Sequence, residues 1–162
     1  MKKIFFLASL ILALTIEFQS LAQKQTPPAG GTPKDFKLPE KKISQLPNGL
    51  KSTLVNYGAI PKVSVQLIIK TGNVHEGPNE VWLADLTGKL MEEGTTTMDY
   101  KTISKKVASM GGNVNIGVGV DNVTISGSVL SEFAPELIKV IGDLVINPAF
   151  PASEVDRLKT DL

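Results

Sequence analysis

Short apolar runs of two different periods alternate along this chain from Lys41 onward. Lys42–Leu46 and Leu50–Asn56 flank Pro47-Asn48-Gly49, which predicts two short strands joined by a tight turn. Val63–Lys70 alternates and then runs apolar, the pattern of a strand buried on both faces. Thr71–Asn79 contains Gly72, Gly77 and Pro78 and is predicted as loop. A helix is expected over Glu80–Glu92, ended by Gly94, with Trp82, Leu86 and Leu90 at i, i+4 and i+8 facing the core.

A second helix fits Asp99–Met110, with Tyr100, Ile103, Val107 and Met110 on one stripe and Gly111-Gly112 closing it. Asn113–Val120 and Val123–Leu130 read as a hairpin across Asp121-Asn122. Ser131 is expected to cap a third helix, in which Phe133, Leu137, Val140, Ile141, Leu144 and Val145 keep helical spacing. Pro148 and Pro151 break the chain before Ser153 opens a last helix. The order predicts an α/β (α+β) domain of two layers, a mostly antiparallel sheet backed by helices.

The first forty residues follow other rules. Lys2 and Lys3 precede an apolar run from Ile4 to Ile16, and Ser20-Leu21-Ala22 places small residues at a cleavage site, so residues 1–22 read as a signal peptide cut after Ala22. That run is too short to span a bilayer, so no integral membrane segment is expected after cleavage, and the mature chain is expected to be periplasmic or secreted. Residues 23–40 form a Pro-, Gly- and Lys-rich leader without periodicity. The domain is expected over 41–162.

Composition narrows the function further. Hydrophobic residues make up 42% and charged ones 20%, values of a folded globular chain rather than a disordered one. The absence of cysteine excludes disulfides, thiolate metal sites and a lipoprotein anchor. Without Lys2, Lys3 and Glu17, the 17 basic and 16 acidic residues become equal in number. Such a balance argues against nucleic acid as a partner.

Four short motifs then stand in order: Leu46-Pro47-Asn48-Gly49-Leu50, Leu83-Ala84 with Gly94-Thr95, Gly111-Gly112-Asn113-Val114-Asn115-Ile116, and Phe150-Pro151 leading to Glu154 and Arg157. Together they resemble the pitrilysin/insulinase family of zinc peptidases, over about Ile43 to Leu162. Ile116 departs from the family's alanine. In that family the second motif brackets a helix bearing His-x-x-Glu-His. Its first histidine falls on Asp85, its glutamate on Gly88 and its second histidine on Lys89. Lys89 offers no lone pair to Zn²⁺, Gly88 cannot serve as general base, and Asp85 alone does not hold the metal. No catalytic residue, metal ligand or cofactor is therefore predicted. The family's distal glutamate is expected about one helical turn past Leu162, which implies a half-subunit incomplete at its C-terminus.

The remaining candidates are weighed against plainer roles. His75 lies in the loop and shares no helical face with Glu80, so no metal role is expected. Glu92, Glu93 and Asp99 either form an accidental oxygen site for a hard ion or a solvated helix end. Asp85 and Lys89 at i and i+4, with Glu92 and Glu93 beyond, are expected to form an ionic ladder. In the family, the strand matching Asn113, Val114, Asn115, Ile116 and Gly117 is an edge to which an extended peptide adds, through backbone bonds; an ordinary hairpin is the alternative. The resemblance implies a non-catalytic homologue that binds extended peptides and partners a catalytic pitrilysin-like subunit. An active zinc endopeptidase and a remnant without independent function are the competing readings.

Overall fold

The computed structural model describes residues 27, 30, 31, 35 and 37–162. The expected signal segment and most of the leader lie outside the described residues. No helix among the described residues is long and apolar enough to cross a membrane. The chain divides into two compact units, one ending at Tyr57 and one running from Gly58 to Leu162.

The first unit holds an antiparallel ribbon in which β1 (Lys41–Gln45) pairs with β2 (Lys51–Val55). Each limit differs from the expected one by a single residue. The turn closes as predicted, with the Gly49 N–H donating to the Leu46 carbonyl (2.9 Å) and the Asn48 side chain accepting from the Leu50 N–H (3.1 Å).

The second unit is a two-layer α/β structure. Its sheet has the order β3–β5–β4, with β3 (Lys62–Ile69), β4 (Asn113–Val118) and β5 (Val123–Leu130) paired antiparallel. Helices α1 (Leu83–Glu92), α2 (Tyr100–Ser109), α3 (Ala134–Ile146) and α4 (Val155–Thr160) follow in chain order. Central strand β5 buries Ile125 and Val129 completely, and α3 lays Leu137, Val140, Ile141 and Leu144 over them. α2 adds Ile103 and Val107 to the same core.

Several expectations are corrected. β3 is not buried on both faces: Val63, Val65, Leu67 and Ile69 turn to the core, while the alternate positions, Ile68 among them, are exposed. Among the described residues it is an edge strand with helices on one side only. Trp82 does not face the core but is 51% exposed at φ 69°, because the helix expected from Glu80 starts only at Leu83. Tyr100 is likewise exposed, leaving Ile103, Val107 and Met110 as the buried stripe of α2. Ser131 does not cap α3. It opens a 3₁₀ turn, Ser131–Phe133, and the helix begins after it with Pro135 in its first turn, where a missing N–H costs nothing.

Candidate functional site

The start of α1 is set from outside the helix. The Glu76 carboxylate accepts from the N–H groups of Trp82 (3.1 Å) and Ala84 (2.8 Å), two donors with no partner within a helix. Trp82 is thereby held in the left-handed region, which ends the i, i+4, i+8 pattern before it reaches the core.

The three family positions have separate fates. Asp85 accepts from the Asn73 side chain (2.6 Å). Asn73 and Val74 donate their own N–H groups to the carbonyls of Gly119 (3.3 Å) and Val120 (2.8 Å), tying this corner to the β4–β5 turn. Gly88 is buried against β4, where an added Cβ would stand 2.5 Å from Val118 Cγ2 and 3.9 Å from Ile116 Cγ2. Lys89 is half-buried and has no ion pair among the described residues.

The expected ladder over Asp85, Lys89, Glu92 and Glu93 is therefore absent. Asp85 is taken by Asn73, and Glu93 pairs with Arg157 (2.5 Å), which also binds Glu154 (2.6 Å) and Asp161 (3.7 Å). The hydrogen bond that Arg157 donates to Glu154, followed by the charge of Glu154 and by Glu93, holds the guanidinium even more firmly protonated than usual. Asp99 caps α2 by accepting from the Thr102 N–H (2.8 Å), and the Thr102 hydroxyl followed by this N–H lowers its pKa below the ordinary 3.8. Glu92, Glu93 and Asp99 thus do not converge. His75 sits in a 3₁₀ turn, Asn73–His75, with Nδ1 directed at the Gly72 N–H (3.2 Å). Among the described residues no group of three His, Cys, Asp or Glu could hold a metal ion.

The Gly94-Thr95 exit seats α1 on the end of α3. Gly94 takes φ 126°, and a Cβ there would meet the Met98 carbonyl at 2.5 Å, so glycine is required. Its carbonyl accepts from Ala149 (3.0 Å), and Thr96 donates to Asn147 (2.9 Å). Asp143, beside this junction, accepts from Asn147 (2.9 Å) and Thr97 (3.1 Å), and the Asn147 amide followed by the Thr95 and Thr97 hydroxyls lowers its pKa.

β4 forms one edge of the sheet, and among the described residues no strand pairs with its outer side. The Gly119 N–H donates to the Asn122 carbonyl (2.8 Å), which fixes the alternation: Asn113, Asn115 and Gly117 exchange bonds with β5. The N–H and C=O groups of Val114, Ile116 and Val118 consequently point outward, away from the sheet. Beside this edge, a groove of about 340 Å³ separates β4 from α2 and includes Glu92 and Tyr100 in its wall. Its floor includes Ile103 and Val107. The strand was legible in the sequence; the groove was not, because it depends on how α2 crosses the strand.

A family model described as insulinase (peptidase family M16) matches residues 54–162. A protein of Rickettsia bellii named as an uncharacterized zinc protease is 32% identical over 115 residues, which cover 71% of this chain and 28% of that protein. The mitochondrial-processing peptidase subunit alpha of Solanum tuberosum is 25% identical over 166 residues, covering 85% of this chain and 33% of the relative. The chain thus spans a third or less of these relatives' length. A crystal structure of a peptidase M16 inactive domain from Pseudomonas fluorescens has the same fold, with a TM-score of 0.69 at 24% identity over 75% of this chain and 30% of that one.

Proposed function

Because the chain belongs to the insulinase family, peptidase family M16, we propose that it is a non-catalytic member, exported to the periplasm or secreted, which binds extended peptide along β4 and assembles with an active zinc metallopeptidase subunit. The observation that carries the non-catalytic part is the fit at Gly88. At the family's general-base position there is no side chain, and Val118 fills the space one would occupy. Asp85 and Lys89, at the two histidine positions, do not supply a pair of neutral imidazoles.

The peptide-binding part is supported by the outward backbone groups of Val114, Ile116 and Val118 on an unpaired edge. Assembly is supported by a relative named as one subunit of a processing peptidase. Export rests on the Lys2-Lys3, Ile4–Ile16 and Ser20-Leu21-Ala22 pattern.

Two measurements on the purified chain test this reading. Elemental analysis should find no stoichiometric zinc, and unstructured peptides should stay uncleaved but bind. One zinc per chain, lost to chelator together with peptidase activity, would establish the active-enzyme reading instead. Asn115→Ala should leave peptide binding intact, since it changes a side chain on the far face, whereas Ile116→Pro should abolish it by removing an outward donor. Equal binding by both variants would remove β4 as the site.

A further inference from the structure

We propose that Asn48, in the turn between β1 and β2, is a site of spontaneous covalent modification: its side-chain amide is lost to water, and the isoaspartate that forms releases the ribbon. The site lies wholly in the first unit, apart from the residues on which the proposed function rests.

Intramolecular loss of an asparagine amide needs an unhindered backbone nitrogen just after the asparagine, an accessible amide carbon, and a backbone free to bring the two together. Asn48 alone among the asparagines of the sequence precedes a glycine. An added Cβ on Gly49 would meet nothing within 4 Å beyond its chain neighbours, so its nitrogen is uncrowded. Asn48 and the residues around it are exposed. The Leu50 N–H donates to Asn48 Oδ1 (3.1 Å), which folds the side chain forward over the Gly49–Leu50 link and draws electron density from its amide carbon. One bond opposes the reaction, that from the Gly49 N–H to the Leu46 carbonyl (2.9 Å). It is weakly defended. Every residue of β1 and β2 is exposed, the two form a sheet by themselves, and a two-stranded ribbon of that kind is marginal in water.

When the turn opens, the Gly49 nitrogen gives its proton to hydroxide and forms a bond to Asn48 Cγ. The Cγ–Nδ2 bond breaks, and ammonia leaves with a proton taken from water. Water then adds to either carbonyl of the cyclic imide. Addition at Cγ gives aspartate; addition at the main-chain carbon gives isoaspartate, in which the chain runs through the side-chain carbons. By either route water is consumed and ammonia released in equal amounts, with no oxidant or reductant. Isoaspartate puts an extra atom into the backbone between Leu46 and Gly49, so the loop no longer suits the pairing of Gln45 with Lys51 and Ser44 with Ser52. The ribbon parts, and a carboxylate stands where a neutral amide was.

The test incubates the whole chain, warm and at mildly alkaline pH, and follows two tryptic peptides by mass. Ile43–Lys51 carries Asn48, and Ser52–Lys62 carries Asn56, which is also exposed but precedes Tyr57. The first should gain the mass of an amide-to-acid exchange, at a rate within about tenfold of the same nonapeptide free in solution, because opening the turn costs little. It should also accept a labelled methyl group from an isoaspartyl methyltransferase used as reagent, and Asn48→Ser should abolish both signals. As isoaspartate accumulates, the Leu46 amide, which donates to the Leu50 carbonyl, should lose its protection from exchange while that of Ile125 in β5 keeps its own. An Asn48 amide that outlasts the free nonapeptide's, or is lost no sooner than that of Asn56, overturns the proposal. Mass gain without methyl acceptance, or methyl acceptance with Leu46 still protected, overturns the release of the ribbon.

Discussion

At the scale of single residues, Gly88 and Gly142 make a controlled pair. Both lie inside helices, where alanine is ordinarily favoured by about 1 kcal/mol. Gly142 has nothing within 4 Å of an added Cβ, so Gly142→Ala should stabilise by about that amount. At Gly88 the same methyl meets Val118, and overpacking of roughly 1–3 kcal/mol outweighs the propensity gain. Urea denaturation should therefore move the two midpoints in opposite directions; a stabilised Gly88→Ala would mean that β4 yields easily. Leu90, 8% exposed, should lose about 2–5 kcal/mol on truncation to alanine, and Lys89 well under ~1 kcal/mol because it has no ion pair to lose among the described residues. The reverse ranking would show a buried lysine charge. Asp143 adds a pH dependence. Its folded pKa lies below the ordinary 3.8, so its contribution is complete above that value and is lost as pH falls through the folded pKa. Asp143→Ala should destabilise the chain at neutral pH, and the gap from the unaltered chain should narrow in melts taken at progressively lower pH below the ordinary 3.8. A constant gap would mean that the carboxylate's charge plays no part.

At the scale of elements, the backbone alternation of β4 is directly measurable. Amide hydrogens of Asn113, Asn115 and Gly117, bonded to β5, should exchange slowly, and those of Val114, Ile116 and Val118 quickly. Peptide should slow the second set alone. An Ile116 amide already as protected as that of Asn115 in the free chain would mean that the edge is covered. The elements themselves were legible because their periodicity reflects burial: Leu137, Val140, Ile141 and Leu144 keep helical spacing and all four are buried. Their beginnings and polar partners were less so. Trp82 fits a helical stripe on paper, yet the start of α1 is decided by Glu76, acting from beyond the first turn. The ladder on α1 was expected from i, i+4 spacing, whereas Glu93 finds Arg157, 64 residues away. β3 reads as doubly buried because its apolar run ignores that, among the described residues, one face of the sheet carries the helices and the other is exposed.

At the scale of the molecule, part of the surface of the second unit is apolar without being core. Trp82, Ile138 and Ile146 are 51%, 57% and 77% exposed. Apolar surface of this kind marks association when it is contiguous. The expected behaviour is self-association of the chain alone and a discrete complex on co-expression with a catalytic homologue, read by size-exclusion chromatography with light scattering. A chain that stays monomeric and indifferent to every such homologue would leave the subunit proposal without support.

The close fit of Gly88 on Val118 also orders events in time. A glutamate at position 88 has no room while valine stands at 118, so a lineage regaining the base would first have to change the strand. That first change, by itself, loosens packing and returns no chemistry. Drift can remove a catalytic side chain in one substitution, but once a neighbour has closed over the gap the way back needs two, the earlier of them unrewarded. Under the proposed non-catalytic role, this helix is in the state that random substitution tends to preserve.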